Sequence, residues 1–248
     1  MILSDEELER YARHIVLPQV GGVGQRKLKD ASVAVIGAGG IGSAIIPALA
    51  GAGVGKLTII DGDVVEIANL HRQPLFGEGD EGKAKAQLAA EFAKRLNRFV
   101  AVTSKPERID SANAERLLAG HSLVIDGSDN FATRLAVSNA CVGLGLPLVA
   151  AAAIQFQGQV GMFRAKPCYR CFVGDAFDAD DCDNCSELGV LGGLTATIGS
   201  FAALLAINAI VGIGEDQSGR LHLFDGEKLS WRSIRIPADP ACKSCSFA

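Results

Sequence analysis

Apolar positions along the chain change period in a regular way. The opening segment "SDEELERYARHIVLP" (4–18) places Ser4 three residues ahead of Glu7, a capping-box spacing, and reads as one amphipathic helix running to Pro18. The continuous apolar run "SVAVI" then leads into a glycine turn, a helical stretch and a second apolar run that ends at Asp61. Helices near 82–97 and 111–119 flank a strand near 100–104. The stretch "HSLVIDGSDN" reads as a further strand, followed by a helix to about residue 145 and the strand "PLVAAAA". This alternation predicts an α/β fold, a Rossmann-like and mostly parallel sheet wound by helices on both faces. After residue 150 the pattern changes. "GQVGMFRA" and "GRLHLFDGEKLSWRSIRI" read as antiparallel strands that extend the sheet. The expected organisation is one domain over 1–248, with a helical arm (1–30), an α/β half (31–150) and a C-terminal part (151–248).

Composition refines this picture in three places. A chain of 248 residues with 48% hydrophobic and 21% charged residues can bury one large core. A net charge of −4 with no long basic run argues against nucleic acid as a partner. The apolar stretch "LTATIGSFAALLAINAIVGI" (194–213) has the length of a membrane span, yet it carries Thr195, Thr197, Ser200 and Asn208 and no basic flank, so a buried core helix is expected and no membrane partner. Residues 1–30 have no apolar segment of the kind that directs secretion. With seven cysteines, six of them in Cys-x-x-Cys pairs, metal or redox chemistry in the cytoplasm is expected rather than a disulfide framework.

The candidate chemistry begins at the first turn. Gly37, Gly39 and Gly42 fit G-x-G-x-x-G after a strand, and Asp61 ends the next strand where a ribose hydroxyl is held. Alone this fingerprint suits NAD as readily as any other nucleotide, so an NAD(P)-dependent oxidoreductase is an alternative reading. The residues beyond it favour transfer chemistry. Asn69, Arg72 and Gln73 lie within one turn of each other, and Lys83 and Lys85 open a helix. Cations in that number suit the charge that builds on a transferred phosphorus and a leaving pyrophosphate. Asp126 and Asp129 sit at the carboxyl end of a later strand, where Asp129 suits either a Mg²⁺ ligand or the cap of the helix that follows.

Three Cys-x-x-Cys pairs, Cys168/Cys171, Cys182/Cys185 and Cys242/Cys245, are one more than a four-thiolate site needs. Spacing does not say which pair is spare. Asp180, Asp181 and Asp183 surround the middle pair and work against an activated thiolate there. Cys141 stands alone in an apolar helix and reads as packing.

The segments "RYARHIVLP", "GAGGIGS", "GAGVGKLTIID", "NLHRQ", "GKAKA", "DGSDNFATR", "CYRC", "CSELGVLGG" and "CKSC" follow one another in the order found in the MoeB/ThiF family, and the chain resembles that family from about residue 4 to 245. These are adenylyltransferases related to ubiquitin-activating enzymes. The resemblance implies ATP-dependent adenylation, with Mg²⁺, of the C-terminal glycine of a ubiquitin-like sulfur-carrier protein, ThiS- or MoaD-like, in thiamine or molybdenum-cofactor synthesis. It implies that Gly40 and its neighbours line the nucleotide and Asp61 holds the ribose. Arg72 and Lys85 would grip the phosphates beside Asn69 and Gln73, and Asp129 would bind Mg²⁺. Arg13 matches an arginine that reaches the phosphates of another subunit, which implies a homodimer; the local alternative is an ion pair with Glu9. Cys168, Cys171, Cys242 and Cys245 match the structural Zn²⁺ knuckles. Cys185 matches a cysteine that is linked to the activated carrier in ThiF-like members and is dispensable in MoeB-like ones; Cys182 has no counterpart. A sulfur donor protein is a further candidate partner. "LFDGEKLSWRS" is closer to ThiF-type than to MoeB-type sequence. Gly193 departs from the proline that family members commonly carry after "GVLG". A zinc-stabilised protein that holds a carrier without catalysis is the remaining alternative.

Overall fold

The computed structural model describes residues 2–174 and 189–246. Its elements in chain order are α1 (Asp5–Arg10), α2 (Ala12–Ile15), α3 (Gly21–Asp30), β1 (Ser32–Ile36), α4 (Gly42–Ala52), β2 (Lys56–Ile60), α5 (Lys85–Leu96), β3 (Ala101–Lys105) and α6 (Ala114–Leu118). They continue as β4 (Leu123–Asp126), α7 (Phe131–Leu144), β5 (Leu148–Ile154), β6 (Gln157–Phe163), α8 (Tyr169–Val173), α9 (Gly192–Val211), β7 (Arg220–Asp225) and β8 (Ser230–Arg235). The eight strands form one sheet in the order β3-β2-β1-β4-β5-β6-β7-β8. From β3 to β5 the pairings are parallel; β6, β7 and β8 add on antiparallel. The expected α/β architecture with an antiparallel extension is therefore present.

Strand period separates two cores. Val33 and Val35 of β1 face one side, with Ile45, Ile46 and Leu49 of α4 and Ile198 and Ala202 of α9. Ala34 and Ile36 face the other, with Leu117 and Leu118 of α6 and Val137 and Ala140 of α7. The long apolar helix α9 is thus a core helix, with its inner face on the sheet and on α4.

The opening segment differs from a single helix. Ser4 and Glu7 form the expected capping box, but α1 ends at Tyr11 (φ −98°, ψ 14°) and α2 starts afresh. Tyr11 is buried, its hydroxyl accepts from Asn97 Nδ2 at 2.8 Å, and its ring lies over Gly53 just past α4. Anchoring that side chain redirects the backbone. Because Gly53 and Asn97 follow the last residues of α4 and α5, the arm packs against the end of the sheet opposite the glycine turn.

Candidate active site

The order 3-2-1-4-5 reverses between β1 and β4, the crevice where open α/β sheets hold ligands. Two loops meet there. Ile36 and Asp126 are register partners, so the glycine turn after β1 and the "GSDN" loop after β4 start side by side. Gly37 has φ +87°, which L side chains rarely adopt, and an ideal Cβ on Gly42 would lie 2.1 Å from the Gly37 carbonyl oxygen. The turn therefore closes on itself only with glycine at both positions, and the start of α4 points its N–H groups into the crevice.

Asp61, just after β2, ties this turn down. Its Oδ2 accepts from the Ala38 N–H at 2.7 Å and its Oδ1 from the Asp63 N–H at 2.8 Å. Burial pushes the Asp61 carboxyl up, although both N–H donors and Lys85 favour its charged form. Lys85, only 6% exposed, places Nζ 3.7 Å from Asp63 Oδ2, and Arg108 donates to the other Asp63 oxygen at 3.0 Å. Lys83 is exposed and pairs with Asp80 at 3.0 Å, so of the two lysines only Lys85 is built into the fold.

Ile67–Asn69 form a short 3₁₀ turn that runs on into a further turn, with Arg72 and Gln73 donating their N–H groups to the Asn69 carbonyl at 3.1 Å. Asn69 Oδ1 and Gln73 Oε1 are buried and have no hydrogen-bond partner among the described residues. Gln73 Nε2 lies 3.6 Å from the place a Cβ would take on Gly39. Thr195 of α9 packs on Gly40, and Gly192 sits against the His71 carbonyl and the Arg72 Cα. Arg72 bonds His71 Nε2 at 2.8 Å and the Ala68 carbonyl at 3.2 Å. Unpaired buried acceptors beside a glycine turn, with an arginine and a lysine nearby, form a cradle that suits a polar, phosphorylated ligand.

At the other loop, Asn130 caps α7 by accepting from the Thr133 N–H at 2.8 Å. That leaves Asp129 outside the cap, exposed and without a hydrogen bond or ion pair among the described residues. Asp126 Oδ2 and Ser128 Oγ, both buried, also lack hydrogen-bond partners. This oxygen-rich set fits a hard divalent cation.

The sulfur atoms of Cys168, Cys171, Cys242 and Cys245 lie within 4.8 Å of one another, with separations of 3.9, 3.6 and 3.4 Å along three edges. A tetrahedral zinc with bonds of about 2.3 Å sets thiolates about 3.8 Å apart, so the cluster fits that ion. Burial pushes the Cys168 thiol up. Burial opposes ionisation of Cys242 too, but the N–H groups of Ser244 and Cys245 outweigh it and hold this thiol below its ordinary value. The cluster joins α8 to residues 242–245, a connection that an Arg170–Ser244 bond of 2.9 Å reinforces. Cys141 is buried, its thiol pushed up to about 12 by burial and then by Asp126, as a packing residue would be. Cys182 and Cys185 lie outside the described residues.

Residues 11–244 match the family model described as the ThiF family. The chain belongs to the ThiF family. Among its relatives is the "Sulfur carrier protein adenylyltransferase" of Thermus thermophilus, 42% identical, with 98% of this chain and 92% of that protein covered. "Molybdopterin-synthase adenylyltransferase" of Salmonella typhimurium is 37% identical, with 98% of each covered. "Adenylyltransferase and sulfurtransferase MOCS3" of Culex quinquefasciatus is 42% identical over 98% of this chain, which spans only 56% of that longer protein. A solved structure, "Crystal structure of E. coli MccB + ATP", superposes with a TM-score of 0.85 at 22% identity, covering 98% of this chain and 75% of that one, a likeness of fold.

Within this ThiF-family fold, Gly37, Gly39, Gly40, Gly42, Asp61, Asn69, Arg72, Gln73 and Lys85 converge on one crevice, with Asp129 on the adjoining loop. Arg13 is not among them. It lies on the arm at the far end of the sheet and has no ion pair with Glu9. Sequence reasoning missed Asp63, which holds Lys85, and Thr195, which packs on Gly40. Asp63 had a usable signal, a second carboxylate two positions past Asp61; Thr195 had none, because α9 reaches the glycine turn only through the fold.

Proposed function

We propose that the chain adenylates the C-terminal glycine of a ubiquitin-like sulfur-carrier protein, ThiS- or MoaD-like, using ATP and Mg²⁺. The observation that carries this reading is the convergence of the glycine turn, Lys85 and the Asn69–Gln73 turn on one crevice. Relatives named for the same transfer, matched over nearly their whole length, support it.

Asp61 suits the ribose hydroxyls, and the turn from Gly37 to Gly42 with the first N–H groups of α4 suits the phosphates. Asn69 Oδ1 and Gln73 Oε1 are acceptors that a bound nucleotide's N–H or O–H groups would satisfy. The carrier's terminal carboxylate attacks the α-phosphorus; the new acyl–phosphate bond forms as the bond to the bridging oxygen breaks, and pyrophosphate leaves with that electron pair. Arg72 and Lys85 stabilise the negative charge that gathers on the phosphorus oxygens and the departing pyrophosphate. Asp129 would hold Mg²⁺, which supplies further neutralisation of the phosphates when bound. Cys168, Cys171, Cys242 and Cys245 would hold Zn²⁺, which cross-links the C-terminal segment to α8 and takes no part in the transfer. Arg13 would act in the partner's site of a homodimer. A cysteine-held metal site supports the cytoplasm as the compartment.

Incubation with MgATP and ThiS- or MoaD-like carriers, followed by intact-mass analysis, tests the reading. Carrier–AMP is the expected product, with pyrophosphate exchange that requires the carrier. Absence of both with every carrier would leave the zinc-stabilised binding protein as the better account. A covalent carrier adduct that Cys185→Ser abolishes would assign the linkage to Cys185.

A further inference from the structure

Arg134 occupies an unusual place for a cation. It lies on the first turn of α7, is 6% exposed, and directs its guanidinium inward, under the loop that carries Asp129. Nη2 donates to the Ser128 carbonyl and, at 2.8 Å, to the Ala151 carbonyl of β5. The same short loop is tied at three further points. The Gly127 N–H donates to the Ile36 carbonyl at 2.9 Å, the Ser128 N–H to Asp126 Oδ1 at 2.9 Å, and Asn130 caps the helix. Gly127 in turn abuts the nucleotide turn, its carbonyl oxygen 3.2 Å from where a Cβ would sit on Gly37. Among the described residues, the Asp129 carboxylate, like the Ser128 hydroxyl, has no hydrogen bond in this stretch. Burying a guanidinium is costly, and an apolar residue would serve packing better. What the guanidinium provides is a rigid bridge between the loop and the neighbouring strand.

We propose that Arg134 is a positioning residue for Asp129. By pinning the Ser128 carbonyl to β5 it holds the loop at one height above the glycine turn, so that the Asp129 carboxylate meets a divalent cation on the nucleotide phosphates. The inference rests on the metal role proposed for Asp129. It assigns Arg134 no contact with substrate; its effect passes through the loop, as that of groups orienting a metal ligand does.

The test titrates MnCl₂ into the full-length protein saturated with α,β-methylene-ATP and reads bound metal by electron paramagnetic resonance. Pyrophosphate exchange against Mg²⁺ concentration is measured alongside. Arg134→Met is expected to weaken Mn²⁺ binding by about tenfold, the worth of one hydrogen bond to a charged group. The Mg²⁺ concentration for half-maximal exchange should rise by the same factor, and exchange at saturating Mg²⁺ should recover. Arg134→Lys keeps the charge but not the planar fork, and an intermediate weakening of about threefold is expected. A residue that merely stabilises the fold would lower the melting temperature and leave the Mn²⁺ constant unchanged. An unchanged constant in Arg134→Met overturns the proposal, and should that variant not fold, an unchanged constant in Arg134→Lys does so. Asp129→Asn separates the two levels. If it leaves Mn²⁺ binding intact, the metal role of Asp129 fails and the inference with it; if it weakens binding while the Arg134 variants do not, only the inference fails.

Discussion

Removing one oxygen from Tyr11 should cost this protein measurable stability. Asn97 is 0% exposed, and both N–H groups of its amide are committed, one to the Tyr11 hydroxyl at 2.8 Å and one to the Ala50 carbonyl at 2.6 Å. Its Oδ1 accepts from the Phe99 N–H at 3.2 Å, which leaves the amide no freedom to turn toward another acceptor. Tyr11→Phe keeps the ring on Gly53 but strands one buried donor, a loss of about 1–3 kcal/mol. For a domain of this size each kcal/mol moves the melting temperature by roughly 2–4 °C, so a fall of about 4–8 °C is the central expectation. Differential scanning calorimetry and urea denaturation measure it, the second requiring a lower midpoint with an unchanged slope. Asn97→Ala should cost more, because it also removes the bonds to Ala50 and Phe99. A Tyr11→Phe protein that melts within 1 °C of the parent would refute the claim that this pair anchors the arm.

Three further outcomes follow from particular contacts. Gly42→Ala sets a methyl 2.1 Å from the Gly37 oxygen, so the turn must open, and binding of a fluorescent ATP analogue should fall by more than tenfold while the fold survives by circular dichroism. Cys242→Ser should lower zinc in the purified protein from one equivalent toward zero and expose residues after 236 to limited proteolysis; zinc near zero in the parent protein would remove the assignment altogether. Burial, then Arg220, holds the His222 imidazole below its ordinary value, so the unfolded chain takes up the proton first. The resulting stability is intact above about pH 6.5 and declines as pH falls below it, and His222→Gln should flatten the change in urea midpoint between pH 7.5 and 5.5.

How legible the site was depended on whether its residues are bound by local or by long-range geometry. The turn from Gly37 to Gly42, Asp61 at the end of β2 and the Asn69–Gln73 turn are set within a few residues, and period and spacing expose them. The strand order places the "DGSDN" loop beside the glycine turn, and an alternating pattern already implies that meeting at the sheet's switch point. Helix capping was a genuine ambiguity: Asp129 and Asn130 are both good caps, and the backbone chose Asn130, which frees Asp129. Contacts made by α9 were not readable, since nothing in "GGLTATIG" says that Thr195 will pack on Gly40. The break at Tyr11 was hidden for the same reason, because a partner 86 residues away imposes it against a good helical pattern.

Arg13 is the residue whose role the fold constrains most sharply. Its arm is bonded to the last turns of α4 and α5, and α4 spans eleven residues, about 16 Å, between that end and the glycine turn. An arginine there does not serve the nucleotide of its own chain. If it serves phosphates at all, the phosphates belong to another copy, and mixing variants separates that case from no role. If the proposed homodimer forms, Arg13→Ala and Lys85→Ala should each lose pyrophosphate exchange when present alone. After unfolding and refolding together in equal amounts, half of the dimers carry one variant of each kind, and in those one of the two sites regains both an intact Lys85 and an intact Arg13. Exchange should therefore return to about a quarter of the parent's value, the proportion that twofold symmetry dictates. Exchange by Arg13→Ala alone at the parent's rate removes Arg13 from the chemistry. Loss in both variants without recovery on mixing would mean that Arg13 supports its own subunit through the fold, and the dimeric site would have to be abandoned.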